Sequence, residues 1–387
     1  MNVADTAPRV SSIRGVSLVE LMIAIAIGSL LLLGLVQVFS ASRAAYQTSE
    51  GLGRVQENGR FAIDYLLRDI RMAGHFGCVN DQAHWVKGAG DLVNHFGSAV
   101  DALDFNRSIV GYEATGTAPG DSLQVGGGAA TWSPALPAEI SLLNPSPGSD
   151  IISLRYLVGE GLPVQSLATV SGTSTEVGFT AGRVDGLTDG GVAAPTLFAV
   201  SDCSQVDVFP GVIAGNLVRS DGADFAARYG TLPSSQTLLH RAESIVYYVA
   251  PGASGRRALW RARADENGAY PPGGREELID GVESLQFLYG RDSTVDISRE
   301  SPPAGNINQQ DTAAVVGPDA AQWLRVGLVQ VGVLVASPDP AGASEPVGNE
   351  QHPRVLGVRF APADNHDARY RGAYEVTVAV RNRLFGN

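Results

Sequence analysis

An uninterrupted apolar stretch near the N terminus constrains this chain more than any other feature of its sequence. Residues 16–39 read VSLVELMIAIAIGSLLLLGLVQVF, in which Glu20 is the only charged residue. About twenty apolar residues, at a rise of about 1.5 Å each, span a hydrocarbon core of about 30 Å. The stretch therefore predicts a transmembrane helix. Arg9 and Arg14 precede it, and arginine in a short flanking segment keeps that end in the cytoplasm, so the rest of the chain is expected to be exported.

A cleaved secretory signal is the alternative interpretation, since such signals also have a basic start and an apolar run. The run in this chain is longer than the usual signal core of about 7 to 15 residues, and the nearest small-residue cleavage site, Ala41-Ser42, is weak. Glu20 is also expected to have a function or a partner, because a carboxylate at the centre of a membrane helix costs about 2.5 to 3.5 kcal/mol on insertion scales.

The residues around Glu20 form a specific pattern, Arg14-Gly15 followed by VSLVEL at residues 16–21. This pattern resembles the signal of type IV prepilins, in which a prepilin peptidase cleaves after the glycine and methylates the new N terminus. The resemblance implies cleavage between Gly15 and Val16, N-methylation of Val16, and a role for Glu20 in subunit assembly. Val16 departs from the phenylalanine or methionine that is usual at that position.

Electrostatics in a bundle of apolar helices supports this role for Glu20. An ammonium group freed at Val16 would neutralise the Glu20 carboxylate of an adjacent subunit, and opposite charges attract strongly where the dielectric constant is low. Such a pair would fix the axial register between helices. The alternative is that Glu20 lies among the lipid headgroups, where a carboxylate costs little.

The helical pattern continues beyond Phe39 but becomes amphipathic. Apolar residues recur every three to four positions and predict one buried face; they are Phe61, Ala62, Leu66 and Ile70. Asp64 and Asp69 are expected on the solvated face, and Gly74 is expected to end the helix. Three glycines are expected to loosen its middle: Gly51, Gly53 and Gly59.

From residue 75 onwards the periodicity changes to the two-residue alternation of strands, interrupted by turns rich in Gly, Pro, Ser and Asp. The predicted strands are Ile151 to Val158, Thr237 to Val249, Ala258 to Arg263, Ser284 to Tyr289, Val326 to Val335 and Tyr374 to Arg381. Long loops are predicted at 133–149, 299–318 and 337–353. We therefore predict an α+β fold, in which a long N-terminal helix packs on a large antiparallel β-rich head, and the resemblance to prepilins implies that this fold is pilin-like.

Four further segments resemble known pilus proteins. The helix end DIRMAGHFGC at 69–78 and Ser201-Asp202-Cys203 are similar to the two cysteine segments of PilW-like minor pilins. Residues 278–290 and 380–384 are shared more widely, including with J-type minor pseudopilins of type II secretion. The resemblance implies a disulfide between Cys78 and Cys203, which an oxidising compartment outside the inner membrane would permit; two buried thiols are the alternative.

No pattern of catalytic or metal-binding residues emerges. The net charge of −12 without basic runs argues against nucleic-acid binding. Residues 119–123, PGDSL, superficially resemble serine hydrolases, but Asp364-Asn365-His366 has the wrong spacing to supply the base. The six histidines lack ligand spacing with cysteines, and the Asp185 to Asp189 segment is better explained as a solvated loop than as a calcium site. We expect no catalytic residue, metal or cofactor.

These features predict four regions: a leader at 1–15, a transmembrane helix at 16–40, an amphipathic helix at 41–74 and a β-rich head at 75–387. The resemblance implies a PilW-like minor pilin that primes type IV pilus assembly at or near the tip and supports attachment and twitching motility. Its implied partners are other minor pilins and pilus subunits, prepilin peptidase, the inner-membrane assembly platform and a tip adhesin. The alternatives are a J-type type II secretion pseudopilin and a membrane-tethered periplasmic hydrolase or binding module.

The implied location is the inner membrane, with a single span, the N terminus in the cytoplasm and the head in the periplasm. After assembly the subunit would lie in the extracellular pilus.

Overall fold

The computed structural model describes residues 15–80, 91–96, 100–232, 236–293, 306–340, 352–364, 367–380 and 382. Most of the predicted leader, with Arg9 and Arg14, therefore lies outside the described residues. So do His84, Asn365 and His366, part of the predicted loops at 299–318 and 337–353, and all of residues 380–384 except Val380 and Asn382.

One helix, α1 (Leu18–Met72), forms the N-terminal part of the described chain. Its 55 residues correspond to a length of about 80 Å. The helix is exposed nearly throughout from Leu18 to Glu50, and its buried positions begin at Gly51. It ends at Met72, and Gly74 follows with a φ of 73°, the left-handed conformation that glycine favours after a helix. The first half of α1 thus projects from a head on which the second half is packed.

The buried face of α1 differs from the predicted one at two positions. Its members are spaced by three to four residues: Gly51, Val55, Gly59, Ala62, Leu66, Asp69 and Ile70. The prediction is therefore correct for three apolar residues and wrong for Phe61, which is 46% exposed. It is also wrong for Asp69, which is 4% exposed. Successive residues are turned by about 100° around a helix, so Phe61 points away from the face that Ala62 shares with Asp69.

The glycines of α1 do not interrupt the helix, which is continuous through all three. Gly59 has a packing role instead. A Cβ atom at Gly59 would lie 2.3 Å from the ring of Tyr374 on the sheet below, closer than any real contact. Glycine is required there because the helix backbone approaches an aromatic ring, and this requirement outweighs the helix-propensity cost of about 1 kcal/mol.

Twenty strands follow among the described residues. A short hairpin comes first, β1 (His75–Phe76) and β2 (Val79–Asn80). The others, in chain order, are β3 (Asp91–Asn94), β4 (Ile109–Ala114), β5 (Ser122–Gln124), β6 (Trp132–Ser133), β7 (Ile151–Val170), β8 (Ser174–Phe179), β9 (Leu197–Ser201), β10 (Gln205–Ala214), β11 (Leu217–Ser220), β12 (Leu238–Pro251), β13 (Arg257–Arg263), β14 (Arg275–Asp280), β15 (Val282–Arg291), β16 (Gln309–Asp311), β17 (Val326–Ala336), β18 (Arg354–Val355), β19 (Val358–Ala361) and β20 (Arg371–Ala379).

Short helical segments connect some of these strands. They are α2 (Ala138–Ser141), α3 (Asp185–Thr188), α4 (Ala313–Val316) and α5 (Ala320–Trp323), with 3₁₀ turns at Asp101–Leu103, Ala226–Arg228 and Pro272–Gly274. The predicted loops at 133–149 and 299–318 thus contain a turn of helix each, α2 and α4.

The strands form one large sheet and three smaller ones. The eleven-stranded sheet has the order β14-β13-β12-β9-β10-β11-β8-β7-β4-β6, with β3 beside β10 and a further pairing between the long strands β7 and β12. A second sheet has the order β16-β15-β17-β20, and a third the order β18-β19-β5; β1 and β2 form the last. Pairing is antiparallel except between β3 and β10 and between β5 and β19. The predicted α+β class, a long helix followed by an antiparallel β-rich head, is confirmed.

All six predicted strands are present, with shifted ends. The largest difference is in β7, which continues twelve residues beyond the predicted end at Val158 to Val170. Its second half is amphipathic and pairs with β8 rather than ending in a turn. The second half of α1 packs mainly on β17 and β20, and Asn58 donates a hydrogen bond to the carbonyl of Asp280 at 3.0 Å.

A buried carboxylate, Asp150, links the eleven-stranded sheet to the four-stranded sheet. It accepts the backbone N–H of Ala114 in β4 at 2.8 Å and that of Phe287 in β15 at 3.0 Å. Burial raises the pKa of Asp150 above its ordinary value. Burial, followed by the charge of Asp150, raises the pKa of the neighbouring Glu113 as well. The folded state therefore holds protons that these carboxyl groups lose in the unfolded chain.

We expect the Glu113→Gln variant to lose less stability than the wild type as the pH rises. A raised pKa in the folded state makes the free energy of unfolding fall with increasing pH, from the ordinary carboxyl range near about 4 up to the raised value. The difference between the two proteins should grow by roughly 1 to 4 kcal/mol between about pH 5 and pH 8, at about 1.4 kcal/mol per unit. Urea unfolding of the full-length chain in detergent measures it.

The matched control is Glu57→Gln, because Glu57 is an exposed carboxylate on α1. It should follow the wild-type pH dependence. Parallel curves for Glu113→Gln and the wild type would show that Glu113 ionises in the folded protein as it does in the unfolded chain.

Candidate assembly site

The N terminus of α1 begins at a serine cap. The side-chain oxygen of Ser17 accepts the backbone N–H of Glu20 at 3.2 Å, and the Ser17 carbonyl accepts that of Leu21 at 3.1 Å. Serine at the cap with glutamate three residues later is a recurrent start of helices, and a carboxylate in the first turn interacts favourably with the helix dipole. The Ser-x-x-Glu spacing thus has a local structural role within the prepilin-type pattern, which the sequence analysis did not assign.

The first half of α1 presents apolar side chains on all sides. Leu18–Met72 is the one helix in the described part of the chain that is long and apolar enough to cross a membrane, and its most apolar window has a mean hydropathy of 2.5. None of that window is buried against the head. An exposed apolar surface of this length is unfavourable in water. Together with the prepilin-type signal, it fits a single-pass inner-membrane protein.

Val16 and Glu20 are both exposed at the start of this helix, four residues apart. Cleavage after Gly15 would place the new amino group at Val16, directly before the cap. The pairing of this amine with a glutamate involves an adjacent subunit, so cleavage at Gly15, methylation of Val16 and the assembly role of Glu20 remain predictions.

A disulfide joins Cys78 to Cys203, with their Cα atoms 4.7 Å apart. Cys78 lies in the β1–β2 turn, just after the helix, and Cys203 lies in the turn between β9 and β10 of the large sheet. The bond closes a loop with a sequence separation of 125 residues. The disulfide links the chain just after α1 to the turn between β9 and β10 in the eleven-stranded sheet.

The last turns of α1 are held by Asp69, which sequence patterning had assigned to the solvated face. The Tyr247 hydroxyl in β12 donates to Asp69 Oδ2 at 2.6 Å, and Arg261 Nη1 in β13 donates to the same oxygen at 3.1 Å. Burial, together with the Asp69 charge, raises the pKa of Tyr247 well above its ordinary value, so the hydroxyl stays protonated and can donate. The guanidinium of Arg261 also lies 6.0 Å from the centre of the Tyr65 ring.

The C-terminal segment caps the same helix. The Asn382 side-chain nitrogen donates to the carbonyls of Arg71 and Ala73, each at 3.2 Å, and lies 3.5 Å from that of Met72. These carbonyls belong to the last turn, where a helix leaves its C=O groups without partners. Residues 380–384 are recognisable in the sequence by resemblance alone. The capping role depends on the tertiary approach of two chain segments that are about 310 residues apart.

The segment that resembles serine hydrolases forms a turn and a strand. Ser122 is exposed at the start of β5, which pairs with β19. The Asp121 carboxylate accepts the backbone N–H of Ala118 at 3.0 Å, as expected for a Gly-Asp turn.

Asp189, at the end of the Asp-rich segment, forms an ion pair with Arg241 at 2.7 Å. The described residues contain no group of three or more His, Cys, Asp or Glu side chains that could hold a metal ion.

We expect replacement of both cysteines by serine to lower the free energy of unfolding by about 2 to 5 kcal/mol, the usual cost of removing a native disulfide. Chemical unfolding of the full-length chain in detergent, with and without a reductant, measures the effect. The reductant should destabilise the wild type and leave the Cys78→Ser/Cys203→Ser variant unchanged. Equal sensitivity of both proteins would contradict a stabilising disulfide.

We expect Asp69→Ala to destabilise the junction of helix and head by about 1 to 3 kcal/mol, because the buried Tyr247 hydroxyl and Arg261 both lose their acceptor, while Arg261 keeps its ion pair with Glu276 at 2.9 Å. Asp64→Ala is the control, since Asp64 lies on the exposed side of the same helix, 3.9 Å from Arg60. Limited proteolysis after Met72 and chemical unfolding would report the change. A loss of stability no greater than that of Asp64→Ala would show that Asp69 does not hold the helix.

Comparison with known proteins gives two family matches. Residues 246–382 match the model described as type IV pilus-assembly protein W, PilW, and residues 11–36 match the prokaryotic N-terminal methylation motif. The first range contains Tyr247, Arg261 and Asn382, so the residues that hold the end of α1 from the head lie within the PilW match. Both cysteine segments lie outside the matched ranges. No curated protein matches the chain significantly.

Among solved structures, a type IV-like pilin from Thermus thermophilus is similar at 16% identity, with 49% of this chain and 86% of the other covered. The TM-score of 0.21 means that the two chains do not superpose as wholes. The predicted resemblance is therefore confirmed through two matched segments: residues 11–36 match the prokaryotic N-terminal methylation motif, and residues 246–382 match the PilW family of type IV pilus-assembly proteins.

Proposed function

We propose that this protein is a minor pilin that takes part in type IV pilus assembly. The observation that carries the proposal is one continuous helix that starts with a methylation motif and ends in contact with a PilW-type segment. The first half of that helix exposes apolar side chains, and the second half is fixed to a folded head. Such a helix suits a subunit whose apolar half lies in the membrane before assembly and packs among the helices of other subunits afterwards.

The proposed division of the chain follows from this helix. Residues 1–15 are the leader, and residues 16–40 span the inner membrane with the N terminus in the cytoplasm. Residues 41–74 continue the helix into the head, and residues 75–387 form the periplasmic head. The buried positions of α1 begin at Gly51, so the head contacts the helix ten residues after the proposed end of the membrane span at residue 40.

Glu20 is the proposed determinant of assembly. Prepilin peptidase would free the amino group of Val16, and this amine would pair with Glu20 of an adjacent subunit in the helix bundle. Each charge alone would be penalised in an apolar environment, whereas the pair offsets much of that cost. The serine cap keeps the first turn helical, so the carboxylate has a defined axial position.

The finer role that we propose is priming of the filament and a position at or near its tip. A large head of about 300 residues, with loops and sheet edges at its surface, is suited to specific contacts with other minor pilins and with a tip adhesin. Attachment and twitching motility would follow. The function is structural, with no substrate turned over, and the assembly platform of the inner membrane would be a transient partner.

We expect Glu20→Ala to enter the membrane normally and to be incorporated into pili several-fold less than the wild type, because the freed amine then lacks its partner. Glu57→Ala is the control, because Glu57 lies on the exposed face of the second half of the same helix. Immunoblots of sheared pili and of the membrane fraction measure both steps, and N-terminal sequencing should show a chain that begins at Val16.

Several results would contradict the proposal. Wild-type incorporation of Glu20→Ala would exclude the charge pairing, and an N terminus elsewhere than Val16 would exclude the prepilin interpretation. Deletion of the gene should remove surface pili. Intact pili with secreted proteins retained in the periplasm would instead indicate a J-type pseudopilin of type II secretion.

A further inference from the structure

The last strand of the head, β20, lies at the edge of the four-stranded sheet. It pairs with β17 along nine residues without a register shift, and no strand in the described part of the chain pairs with its other side. At about 3.4 Å per residue, this free edge is about 30 Å long. A free edge of this length is a template for pairing with a further strand.

The hydrogen bonds between β20 and β17 define which residues face the free edge. Val380 donates its backbone N–H to the Gly327 carbonyl at 2.9 Å, and Ser337 donates its own to the Tyr370 carbonyl at 2.8 Å. Residues of an antiparallel pair alternate between bonding the partner strand and pointing away from it. The even-numbered residues of β20 therefore bond β17. The backbone groups that point outwards are those of Arg371, Ala373, Glu375, Thr377 and Ala379.

Both faces of β20 are covered by other parts of the head. On one face, the ring of Tyr374 lies against Gly59 of α1. On the other, the Glu375 carboxylate accepts the backbone N–H of Leu356 at 2.7 Å, just after β18. Three of the residues that point outwards are exposed and engaged by no side chain of the described residues: Ala373, Thr377 and Ala379. A partner would therefore reach β20 along its edge.

The sequence of β20 does not protect this edge. Proline, a bulge or free charged side chains commonly prevent an edge strand from pairing. β20 has no proline or lysine, and its two charged residues are engaged within the head, Arg371 by Glu283 at 2.7 Å and Glu375 by a backbone N–H. The edge strand β14 of the large sheet has, in contrast, three consecutive charged residues: Arg275, Glu276 and Glu277. The edge of β20 is thus both long and unprotected.

The direction of β20 relative to α1 limits which strand can pair with it. Gly372 lies against Val55, and Asn382, just after the strand, bonds the carbonyl of Arg71, so β20 and the second half of α1 run in the same direction. Two copies of this chain in one membrane or one filament have helices that point the same way, so their β20 strands could meet only in parallel. Antiparallel pairing is the more stable arrangement.

An antiparallel partner must therefore run back toward the membrane. In this chain, the opposite edge of the same sheet is β16, which runs in that direction but has only three residues. A second copy thus offers a poor match to a nine-residue edge. A longer edge strand from a different protein meets the requirement.

We propose that β20 pairs along its free edge with an antiparallel strand of a different pilus subunit, which thereby extends the four-stranded sheet. The proposal rests on the proposed function, because it names the surface through which a minor pilin head binds its neighbour. Main-chain hydrogen bonds from the five residues that point outwards supply the affinity of such strand addition. A neighbour whose helix lies beside α1 would have its head next to this edge, because β20 follows the second half of α1.

Photo-crosslinking in piliated cells identifies the partner. The photoreactive p-benzoylphenylalanine replaces Ala373, and mass spectrometry locates the crosslinked peptide. Leu142 is the control position, because it is 76% exposed and lies between β6 and β7 rather than on β20. The expected product joins position 373 to a strand of another pilin.

Proline substitution distinguishes main-chain pairing from side-chain contact. Thr377→Pro removes an N–H that points outwards and leaves the bonds between β20 and β17 in place, since proline is tolerated at such edge positions. Thr377→Ala is the matched control, because it keeps the N–H. The crosslink yield from position 373 should fall about threefold to tenfold in Thr377→Pro and stay near the wild type in Thr377→Ala, because a hydrogen bond is lost and the ring hinders the partner strand.

A second variant and a measurement on the wild type guard against a folding defect. Ala379→Pro repeats the test at another position that points outwards, and urea unfolding in detergent verifies that each proline variant remains folded. Hydrogen exchange needs no substitution. About half of the amides of residues 371–379 should exchange about tenfold more slowly in sheared pili than in the detergent-solubilised chain.

The outcomes separate this proposal from the proposed function. A subunit present in pili that gives no crosslink above the Leu142 control, or equal yields from folded Thr377→Pro and Thr377→Ala, would overturn the strand pairing and leave the pilin assignment intact. Unprotected amides in residues 371–379, or a product with a second copy of this chain, would overturn it as well. Absence of the wild-type protein from pili would instead overturn the proposed function.

Discussion

The attachment of one helix to the head is the constraint on which the rest of this structure depends. A helix that leaves a membrane can transmit its position to a folded domain only if its end is rigidly held. Here the end is held by a buried carboxylate, Asp69, which accepts hydrogen bonds from the Tyr247 hydroxyl in β12 and from the Arg261 guanidinium in β13. A buried charge is stable only when it is paired and hydrogen-bonded. The polar contact therefore fixes the rotation of the helix more strictly than apolar packing alone would.

Apolar contacts complete the attachment along the helix axis. The absence of a side chain at Gly59 lets the backbone approach the ring of Tyr374, and Val55 packs against Gly372 in the same strand, where a Cβ atom would lie 2.8 Å from it. At the far end, the amide of Asn382 satisfies the carbonyls of the last turn. The helix is thus held on its face, at its end and, through the disulfide that follows it, by the chain that leaves it.

The two halves of α1 serve two environments with one regular backbone. The first half has every backbone group hydrogen-bonded within the helix apart from its end, as a hydrocarbon environment requires. The second half turns one face to the sheets and leaves the other exposed, where arginines and aromatic rings line the mouth of a cleft. The same helix would therefore carry the proposed register contact of Glu20 in the bundle at one end and the contacts with the head at the other.

The sequence by itself determined the elements whose signals are local. The apolar run, the glycine before Val16, the change from helical to alternating periodicity and the six main strands could be read directly, because each depends on a few neighbouring residues. Tertiary structure decided the others. Asp69 follows the charged Arg68 and is itself a residue type typical of the surface, and only the approach of Tyr247 and Arg261, nearly two hundred residues away, makes its burial favourable. The same holds for Asp150 between two sheets and for Asn382 at the helix end, because a polar side chain carries no sequence signal for the distant partner that satisfies it.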